Sequence, residues 1–248
     1  MIRKINSHAN PIIKHVVQLH SSKHRSKLQE FIAEGFRTIA TILKANNELL
    51  TLFTIEEYLY DAQQLTDDKH IIIVDESVMK KISSSQSPSG LLATFRIPPQ
   101  PSFDTIESGI VLAQITDPGN MGTLIRTAAA MNKKTVICIE TVDPWNQKVV
   151  QATAGAIGVV SIFCISWHDL LLNKKNIPLC ALLPTDGKSP NTVNLRDALI
   201  IIGNESHGIP SEWVAQCDEQ ITLPMPGKFE SLNAAVAGSI ALYLAATH

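Results

Sequence analysis

The sequence predicts an α/β protein with two domains, a small α/β domain followed by a larger domain with a mostly parallel sheet. Two observations support this prediction. In the second half of the chain, short apolar runs rich in β-branched residues alternate with helical segments, which is typical of a parallel sheet with helical crossovers. A proline-rich stretch stands between the two halves, as expected of a connector between domains.

The larger domain is predicted at residues 105–248. Its strands are predicted at 109–115, 135–140, 158–164, 178–183, 198–202 and 219–223. Its helices are predicted at 120–131, 145–152, 209–216 and 231–245. The last of these helices is rich in alanine, which has the highest helix propensity of all residues. Strands and helices therefore alternate through this domain, as a parallel sheet requires.

The boundary between the domains is predicted at residues 97–104. Residues 97–102 contain three prolines in six positions, which favours a stiff, extended connector. Residues 1–96 are therefore predicted to form the first domain, and 97–104 the linker.

The first domain is predicted to mix short helices and strands. Its helices are predicted at 11–19, 22–30 and 36–44, and its strands at 31–33, 49–55, 70–74 and 91–95. Asp75 is expected to cap a short helix that reaches about residue 82. The serine-rich residues 83–90 are expected to form an exposed loop.

The charge of the chain is uneven. The net charge is −2, so the whole molecule is not a general binder of nucleic acid, but residues 1–30 hold six Lys and Arg residues against a single acid, Glu30. The same stretch holds four of the eight histidines. A basic surface of this kind can neutralise RNA phosphates, although a solvated N-terminal segment would have the same composition.

The sequence contains no apolar run of the ~18 residues that a membrane helix needs, and no apolar segment follows Arg3 and Lys4 as in a secretory signal. A cytoplasmic protein that does not contact the membrane is expected. The cysteines lack C-x-x-C spacing, so buried free thiols are predicted and no metal site. They are Cys138, Cys164, Cys180 and Cys217.

Polar residues with glycine or proline follow three of the predicted strands in the larger domain. The stretches are Asp117–Arg126 (DPGNMGTLIR), Ile202–Pro210 (IGNESHGIP) and Leu223–Asn233 (LPMPGKFESLN). Ligands of open α/β sheets bind at the carboxyl ends of the strands, so three such turns in one domain predict a single site. Taken singly, each turn also has an ordinary interpretation, with Ser231 and Asn120 as helix caps, Arg126 in a surface ion pair, and Glu205 and Asn233 as incidental polar residues.

These three stretches resemble the three motifs of the SpoU/TrmH family of RNA ribose 2′-O-methyltransferases, which belongs to the SPOUT superfamily. The resemblance covers about residues 105–248. Asn132 departs from it, because relatives often have glycine there, but asparagine tolerates the left-handed conformation that ends a helix. More weakly, Asn10-Pro11, Glu34-Gly35 and Pro88-Ser89-Gly90 resemble landmarks of the substrate-binding domain that precedes many members.

The resemblance implies a cofactor, an assembly and a set of site residues. The cofactor would be S-adenosylmethionine, held by backbone groups of a trefoil-knotted C-terminal segment in a homodimer. Its contacts would fall on Gly203, Leu223 and Leu232. The polar active-site positions would be Asn120, Arg126, Glu205, Ser231 and Asn233.

The chemistry agrees with these residue types. Methyl transfer needs the acceptor oxygen held in line and its proton managed. The family assigns activation of the ribose hydroxyl to Arg126. A guanidinium stays protonated, so a bidentate clamp on the neighbouring phosphate is the easier role to defend.

Alternatives remain at this point. A separate first domain favours ribosomal RNA as the substrate, and transfer RNA is the alternative. A non-catalytic RNA-binding or ribosome-assembly protein would also fit the fold. A phosphate loop at residues 119–122 is less favoured because the Walker spacing is absent, and no G-x-G-x-x-G turn indicates a Rossmann cofactor site.

Overall fold

The computed structural model describes residues 2–227 and 232–247. Its strands are β1 Arg3–Ile5, β2 Glu30–Glu34, β3 Leu49–Thr54, β4 Ile71–Val74, β5 Leu91–Arg96, β6 Gly109–Ala113, β7 Thr135–Ile139, β8 Ser161–Cys164, β9 Leu179–Leu183, β10 Leu199–Ile202 and β11 Glu219–Thr222. Its α-helices are α1 Pro11–Gln18, α2 Ser22–Leu28, α3 Phe36–Lys44, α4 Leu59–Leu65, α5 Glu76–Ile82, α6 Pro118–Ala130, α7 Gln147–Thr153, α8 Trp167–Asn173, α9 Ser211–Val214 and α10 Ala234–Thr247.

The chain forms two compact units. The N-terminal unit contains Met1–Pro99 together with Trp145–Val159, and the C-terminal unit contains Gln100–Pro144 together with Val160–His248. The N-terminal unit therefore includes α7, a helix that comes from the second half of the sequence. The sequence did not predict this assignment, because the pattern of a segment shows that it is helical without showing where it packs.

The N-terminal unit is built on a five-stranded mixed sheet in the order β1-β4-β3-β5-β2. β4 pairs in parallel with β1 and β3, whereas β5 is antiparallel to β2 and β3. Phe31 on β2 stacks on Phe95 of β5 and contacts Trp145 just before α7. These aromatic contacts attach α7 to the sheet, and they explain why Trp145–Val159 belongs to this unit.

A buried carboxylate organises the serine-rich loop of the N-terminal unit. Glu34 is buried and accepts hydrogen bonds from the Ser83 hydroxyl at 2.7 Å, the Ser89 backbone N–H at 3.0 Å and the Gln147 side-chain amide at 3.3 Å. A buried carboxylate needs such donors to offset its lost hydration. Ser84–Ser87 are exposed, as predicted for a surface loop.

The C-terminal unit is built on a six-stranded sheet in the order β11-β9-β10-β6-β7-β8. Every pair of neighbouring strands in it is parallel, so the predicted α/β fold with a mostly parallel sheet is confirmed. The four inner strands are predominantly apolar, as is typical of buried parallel sheets. β10 and β6, near the centre of the sheet, are buried at every residue.

Helix α10 lies close against the sheet and against α6. A Cβ atom added at Gly238 would lie 2.5 Å from Leu124 Cδ2 on α6 and 2.7 Å from Ile202 Cδ1 on β10. The Thr127 and Ser239 hydroxyls also share a hydrogen bond of 3.0 Å. The end of α6 agrees with the sequence prediction, because Asn132 has a φ of 55°, the left-handed conformation that asparagine tolerates.

Several predicted boundaries and elements need correction. β1, α4 and α8 were not predicted, and the strand predicted at 158–164 is only Ser161–Cys164. Helix α2 ends at Leu28 because Gln29 adopts a left-handed conformation with φ of 55°, which frees Glu30 to start β2. The predicted start of α10 at residues 231–233 lies partly outside the described residues.

The expectation that all cysteines are buried is wrong for Cys164. Cys138 and Cys180 are buried and Cys217 is half-buried, but Cys164 is exposed. The physical reason is that β8 is the edge strand of its sheet and Cys164 is its last residue. Within the described residues no helix is both long and apolar enough to cross a bilayer.

Candidate active site

A cavity of about 610 Å³ opens where β9, β10 and β11 end in the C-terminal unit. Its walls come from the strand ends, from the loop after β10 and from the residues that lead into α10. Three parallel strands therefore deliver their carboxyl ends to one site, as expected in an open α/β sheet. The lining residues include Leu182, Leu183, Pro184, Ile202, Leu223, Met225, Leu232, Asn233, Ala234 and Ala237, together with residues 203–209.

The structure brings most of the predicted site residues to this cavity. The three predicted cofactor contacts, Gly203, Leu223 and Leu232, all line it. Of the predicted polar residues, Glu205 and Asn233 line it as well. Ser231 lies outside the described residues. The remaining two, Asn120 and Arg126, are on α6.

A hydrogen-bonded network joins the three turns. The Asn120 side-chain amide donates to Glu205 Oε1 at 2.6 Å, and its Oδ1 accepts from the Asn233 amide at 3.1 Å. Asn120 is held in turn by Asp117, whose Oδ1 accepts the Asn120 backbone N–H at 2.7 Å. Residues separated by 85 and 113 positions in the sequence therefore meet at Asn120, as the single-site prediction requires.

The network also clarifies which residues cap the helices. Asp117, not Asn120, caps α6, so the Asn120 side chain is available to bond Glu205 and Asn233. Asn233 Oδ1 accepts the Ala235 and Val236 backbone N–H groups at 2.9 and 3.2 Å. Asn233 thus satisfies N–H groups at the start of α10 while its amide holds Asn120.

The loop after β10 is held by Asn204, which sequence reasoning did not single out. Asn204 Oδ1 accepts the backbone N–H groups of Ser206 and His207 at 2.8 and 3.2 Å. Its amide donates to the Gln114 carbonyl, just beyond β6, at 2.7 Å. The adjacent N–H and C=O groups of Asn204 and Gly208 bond each other at 3.0 and 2.9 Å. The loop is therefore a closed turn that is hydrogen-bonded to the end of the neighbouring strand, β6.

Gly203 allows the two arms of this loop to approach closely. A Cβ atom at Gly203 would lie 2.4 Å from the Gly208 carbonyl carbon and 2.5 Å from the Ile209 nitrogen. Both are backbone atoms, which cannot move aside as a side-chain tip can. Gly208 itself has a φ of 69°, a conformation that glycine adopts without steric cost.

Arg126 lies six residues after Asn120, about 1.7 turns and 9 Å along α6. Its side chain is exposed, and it has no hydrogen bond or ion pair with any residue within 2–227 and 232–247. It does not line the cavity. A guanidinium that has no partner among the described residues is suited to contact an anionic ligand outside the cavity, such as a phosphate.

The walls of the cavity combine apolar and polar residues. Leucine, isoleucine and methionine residues line it together with the turn at 203–209. Its ionisable lining residues, in the described part of the chain, are Glu205 and His207. This arrangement fits a ligand with a flat apolar ring and polar edges, such as a nucleoside. The Glu205 carboxylate could in addition attract a positively charged group of such a ligand.

The wall formed by Leu182, Leu183 and Pro184 was also missed. The available signal was that β9 is another parallel strand ending at the same edge, with Pro184 just after it. Like the other three turns, the stretch that follows β9 (PTDGKSP, residues 184–190) is rich in proline, glycine and polar residues, but sequence reasoning did not single it out. The strand order, which places β9 between β10 and β11, explains why it borders the site.

Comparison with known proteins identifies the family. The profile of the SpoU rRNA Methylase family matches residues 107–243, more than half of the chain. The chain belongs to the SpoU rRNA methylase family. The profile of an MRM3-like substrate binding domain matches residues 10–93, so this SpoU family member also carries a recognisable N-terminal substrate-binding domain.

Three relatives of this SpoU methylase are similar to it over nearly their whole lengths. An uncharacterised tRNA/rRNA methyltransferase of Synechocystis sp. is 28% identical over 98% of this chain and 93% of its own. The 23S rRNA (guanosine(2553)-2′-O)-methyltransferase RlmP of Bacillus subtilis is 25% identical over 98% of both chains. The AdoMet-bound rRNA methyltransferase from Sinorhizobium meliloti has 26% identity and a TM-score of 0.86, covering 98% of this chain and 97% of that one.

Proposed function

We propose that this protein is an S-adenosylmethionine-dependent methyltransferase that modifies a ribose 2′-hydroxyl of ribosomal RNA. The observation that carries the proposal is the cavity at the ends of three parallel strands, bordered by the Asn120–Glu205–Asn233 network. Membership of the SpoU family and the AdoMet-bound relative support the choice of cofactor. The ribosomal substrate is supported by relatives named as 23S rRNA 2′-O-methyltransferases.

The residues at the cavity fit this cofactor. Gly203, Leu223 and Leu232 would hold it through backbone groups and apolar contact, since all three line the cavity. The Glu205 carboxylate lies beside the same space and would favour a cationic centre there. When bound, S-adenosylmethionine supplies an electrophilic methyl group on a positively charged sulfur.

Arg126 would act on the RNA. Its guanidinium would bind the phosphate next to the target ribose through two parallel hydrogen bonds. This contact fixes the ribose and places positive charge near the hydroxyl, which lowers the pKa of that hydroxyl. Asn120 and Asn233 would hold the surrounding loops, because both already bond across the site.

The two domains would have different functions, with the boundaries that the sequence predicts. Residues 1–96 would bind RNA, 97–104 would link the domains, and 105–248 would carry out methyl transfer. The match of residues 10–93 to a substrate-binding domain supports this proposal.

The alternatives are a transfer RNA substrate and a non-catalytic RNA-binding protein, and the intact polar network argues against the second. With a ribosomal RNA substrate, the reaction would take place in the cytoplasm.

The first test is cofactor binding. We expect the full-length protein to bind S-adenosylmethionine in the presence of EDTA, because the lining residues offer backbone and apolar contacts and require no metal. Isothermal calorimetry measures the affinity, with ATP as the matched control ligand that shares the adenosine but lacks the sulfonium. If S-adenosylmethionine fails to bind with and without RNA, or binds only with added metal, the proposal is wrong.

We also propose that the protein is a homodimer through α10, with the C-terminal segment forming a trefoil knot as in the SPOUT superfamily. Val236, Ile240 and Tyr243 recur every three or four residues along α10 and are 48%, 40% and 57% exposed. The opposite face of α10 is buried. Leu232, which lines the cavity, is also exposed, so the apolar row is continuous with the rim of the site, and we assign it to a second copy of this chain.

Ile240→Asp is expected to convert the dimer to a monomer, because a carboxylate buried without a partner in an apolar interface is costly. Analytical ultracentrifugation of the wild type and the variant measures the change. Leu172→Asp is the matched control, since Leu172 is an exposed leucine on α8 outside this row and its replacement should leave the dimer intact. A monomeric wild type, or a dimeric Ile240→Asp protein, would exclude this interface.

A further inference from the structure

Two cysteines stand directly opposite each other on neighbouring strands of the C-terminal unit. Cys138 on β7 is paired in register with Cys164 on β8. The strands are parallel, so in-register residues point to the same face of the sheet. Neighbouring strands lie about 4.7–4.9 Å apart, within the range of Cα separations, about 4.4–6.8 Å, that a disulfide spans.

The two thiols differ in their surroundings. Cys138 is buried, whereas Cys164 ends the edge strand and is exposed. The interaction with the Cys138 thiol lowers the pKa of Cys164. The same interaction, together with burial, raises the pKa of Cys138 well above its usual value. Burial and the negative charge of Asp143 act in the opposite direction and raise the pKa of Cys164.

This arrangement suits two different roles, with Cys164 as the thiol that reacts with an oxidant and Cys138 as the resolving thiol that then forms the disulfide. Redox-sensitive cysteines are solvent-accessible, have thiolate character and lie next to a second cysteine. Cys164 is exposed and its pKa is lowered, and Cys138 is the neighbouring cysteine.

We propose that Cys164 and Cys138 form a redox-active dithiol that a hydroperoxide converts to an intramolecular disulfide. The Cys164 thiolate attacks the peroxide, its sulfur is oxidised to a sulfenic acid, and the peroxide O–O bond breaks to release water. The Cys138 thiol then attacks the Cys164 sulfur, the S–O bond breaks, and a second water leaves. Two thiols and one hydrogen peroxide thus give one disulfide and two waters.

The disulfide is readily reversed. It would join the buried Cys138 on β7 to the exposed Cys164 at the end of the edge strand, so one sulfur of the bond stays accessible to thiol reductants. The site therefore cycles between dithiol and disulfide and does not act as a permanent structural link. This chemistry is independent of the proposed methyl transfer, because neither cysteine lines the cofactor cavity.

The other two cysteines provide an internal control. Burial raises the pKa of Cys180 to about 12 and that of Cys217 to about 11. The Cys217 thiol also donates to the Trp213 carbonyl at 3.2 Å. Because the thiolate is the reactive form, both should react far more slowly than Cys164 at neutral pH.

The test treats the full-length, reduced protein with one equivalent of hydrogen peroxide, blocks the remaining thiols with iodoacetamide, and maps the cysteines by peptide mass spectrometry. We expect a Cys138–Cys164 disulfide that dithiothreitol removes, with Cys180 and Cys217 still reduced. Cys138→Ser should instead leave a sulfenic acid on Cys164 that dimedone traps, and Cys164→Ser should abolish peroxide consumption at this site. Oxidation of Cys180 or Cys217 before Cys164, a disulfide between two molecules, or Cys164 left as a thiol would each overturn the proposal.

Discussion

Replacing Arg126 by alanine is expected to abolish methyl transfer while leaving the fold and the affinity for S-adenosylmethionine nearly unchanged. The side chain is exposed and does not line the cavity, so its loss removes no cofactor contact. It removes the charge proposed to hold the phosphate next to the reacting ribose. One hydrogen-bond donor aimed at developing charge can be worth about 10²–10³ in rate. Single-turnover methylation of the RNA, measured beside a cofactor titration, gives both quantities.

Two further variants sharpen the Arg126 prediction. Arg126→Lys keeps the positive charge but loses the planar fork of the guanidinium, so it should also be severely impaired. Arg196→Ala is the matched control, because Arg196 is an exposed arginine of the same unit that precedes β10, at the opposite end of the strand from the cavity. The assignment is wrong if Arg126→Ala turns over at the wild-type rate, or if it loses activity only because the cofactor no longer binds.

Gly203→Ala is expected to weaken cofactor binding by at least about tenfold. The new methyl group would lie 2.4 Å from the Gly208 carbonyl carbon, and the loop would have to open to relieve the contact. Overpacking of this kind typically costs about 1–3 kcal/mol, and 1.4 kcal/mol corresponds to a tenfold change in affinity. Because residues 203–209 line the cavity, opening the loop displaces the proposed cofactor contacts. Calorimetry with S-adenosylmethionine measures the affinity.

Gly227→Ala is the matched control for this substitution. Among the described residues, no atom lies within 4 Å of the Cβ position at Gly227, so the same chemical change meets no obstacle from them. Circular dichroism and thermal melting of both variants separate a local change in the loop from general unfolding. Equal affinity of Gly203→Ala and the wild type would show that the close approach at Gly203 is not needed for binding.

Much of the C-terminal unit could be predicted because its signals are local. Apolar β-branched runs mark β6, β7 and β10, and the alternation of strands and helices is enough to predict a parallel sheet. The convergence of Asn120, Glu205 and Asn233 could also be anticipated, because the carboxyl ends of parallel strands meet at one edge. The left-handed conformation of Asn132 agrees with the family resemblance, in which glycine often stands at this position, and with the tolerance of asparagine for this conformation.

Other features depend on contacts that no local pattern encodes. The assignment of Trp145–Val159 to the N-terminal unit rests on contacts such as that between Trp145 and Phe31. The exposure of Cys164 depends on the position of β8 at the sheet edge, which requires the strand order. The role of Asn204 in holding the cavity loop depends on its bond to Gln114, 90 residues earlier.

The central claim is tested most directly by 2′-O-methylation of ribosomal RNA. Ribosomal and transfer RNA from cells lacking the gene would be incubated separately with the purified protein and methyl-labelled S-adenosylmethionine, then digested and identified by nucleoside mass spectrometry. We predict one 2′-O-methylated nucleoside in ribosomal RNA, with no product from Arg126→Ala. Label on a base, label only in transfer RNA, or no label in either RNA would contradict the proposed function.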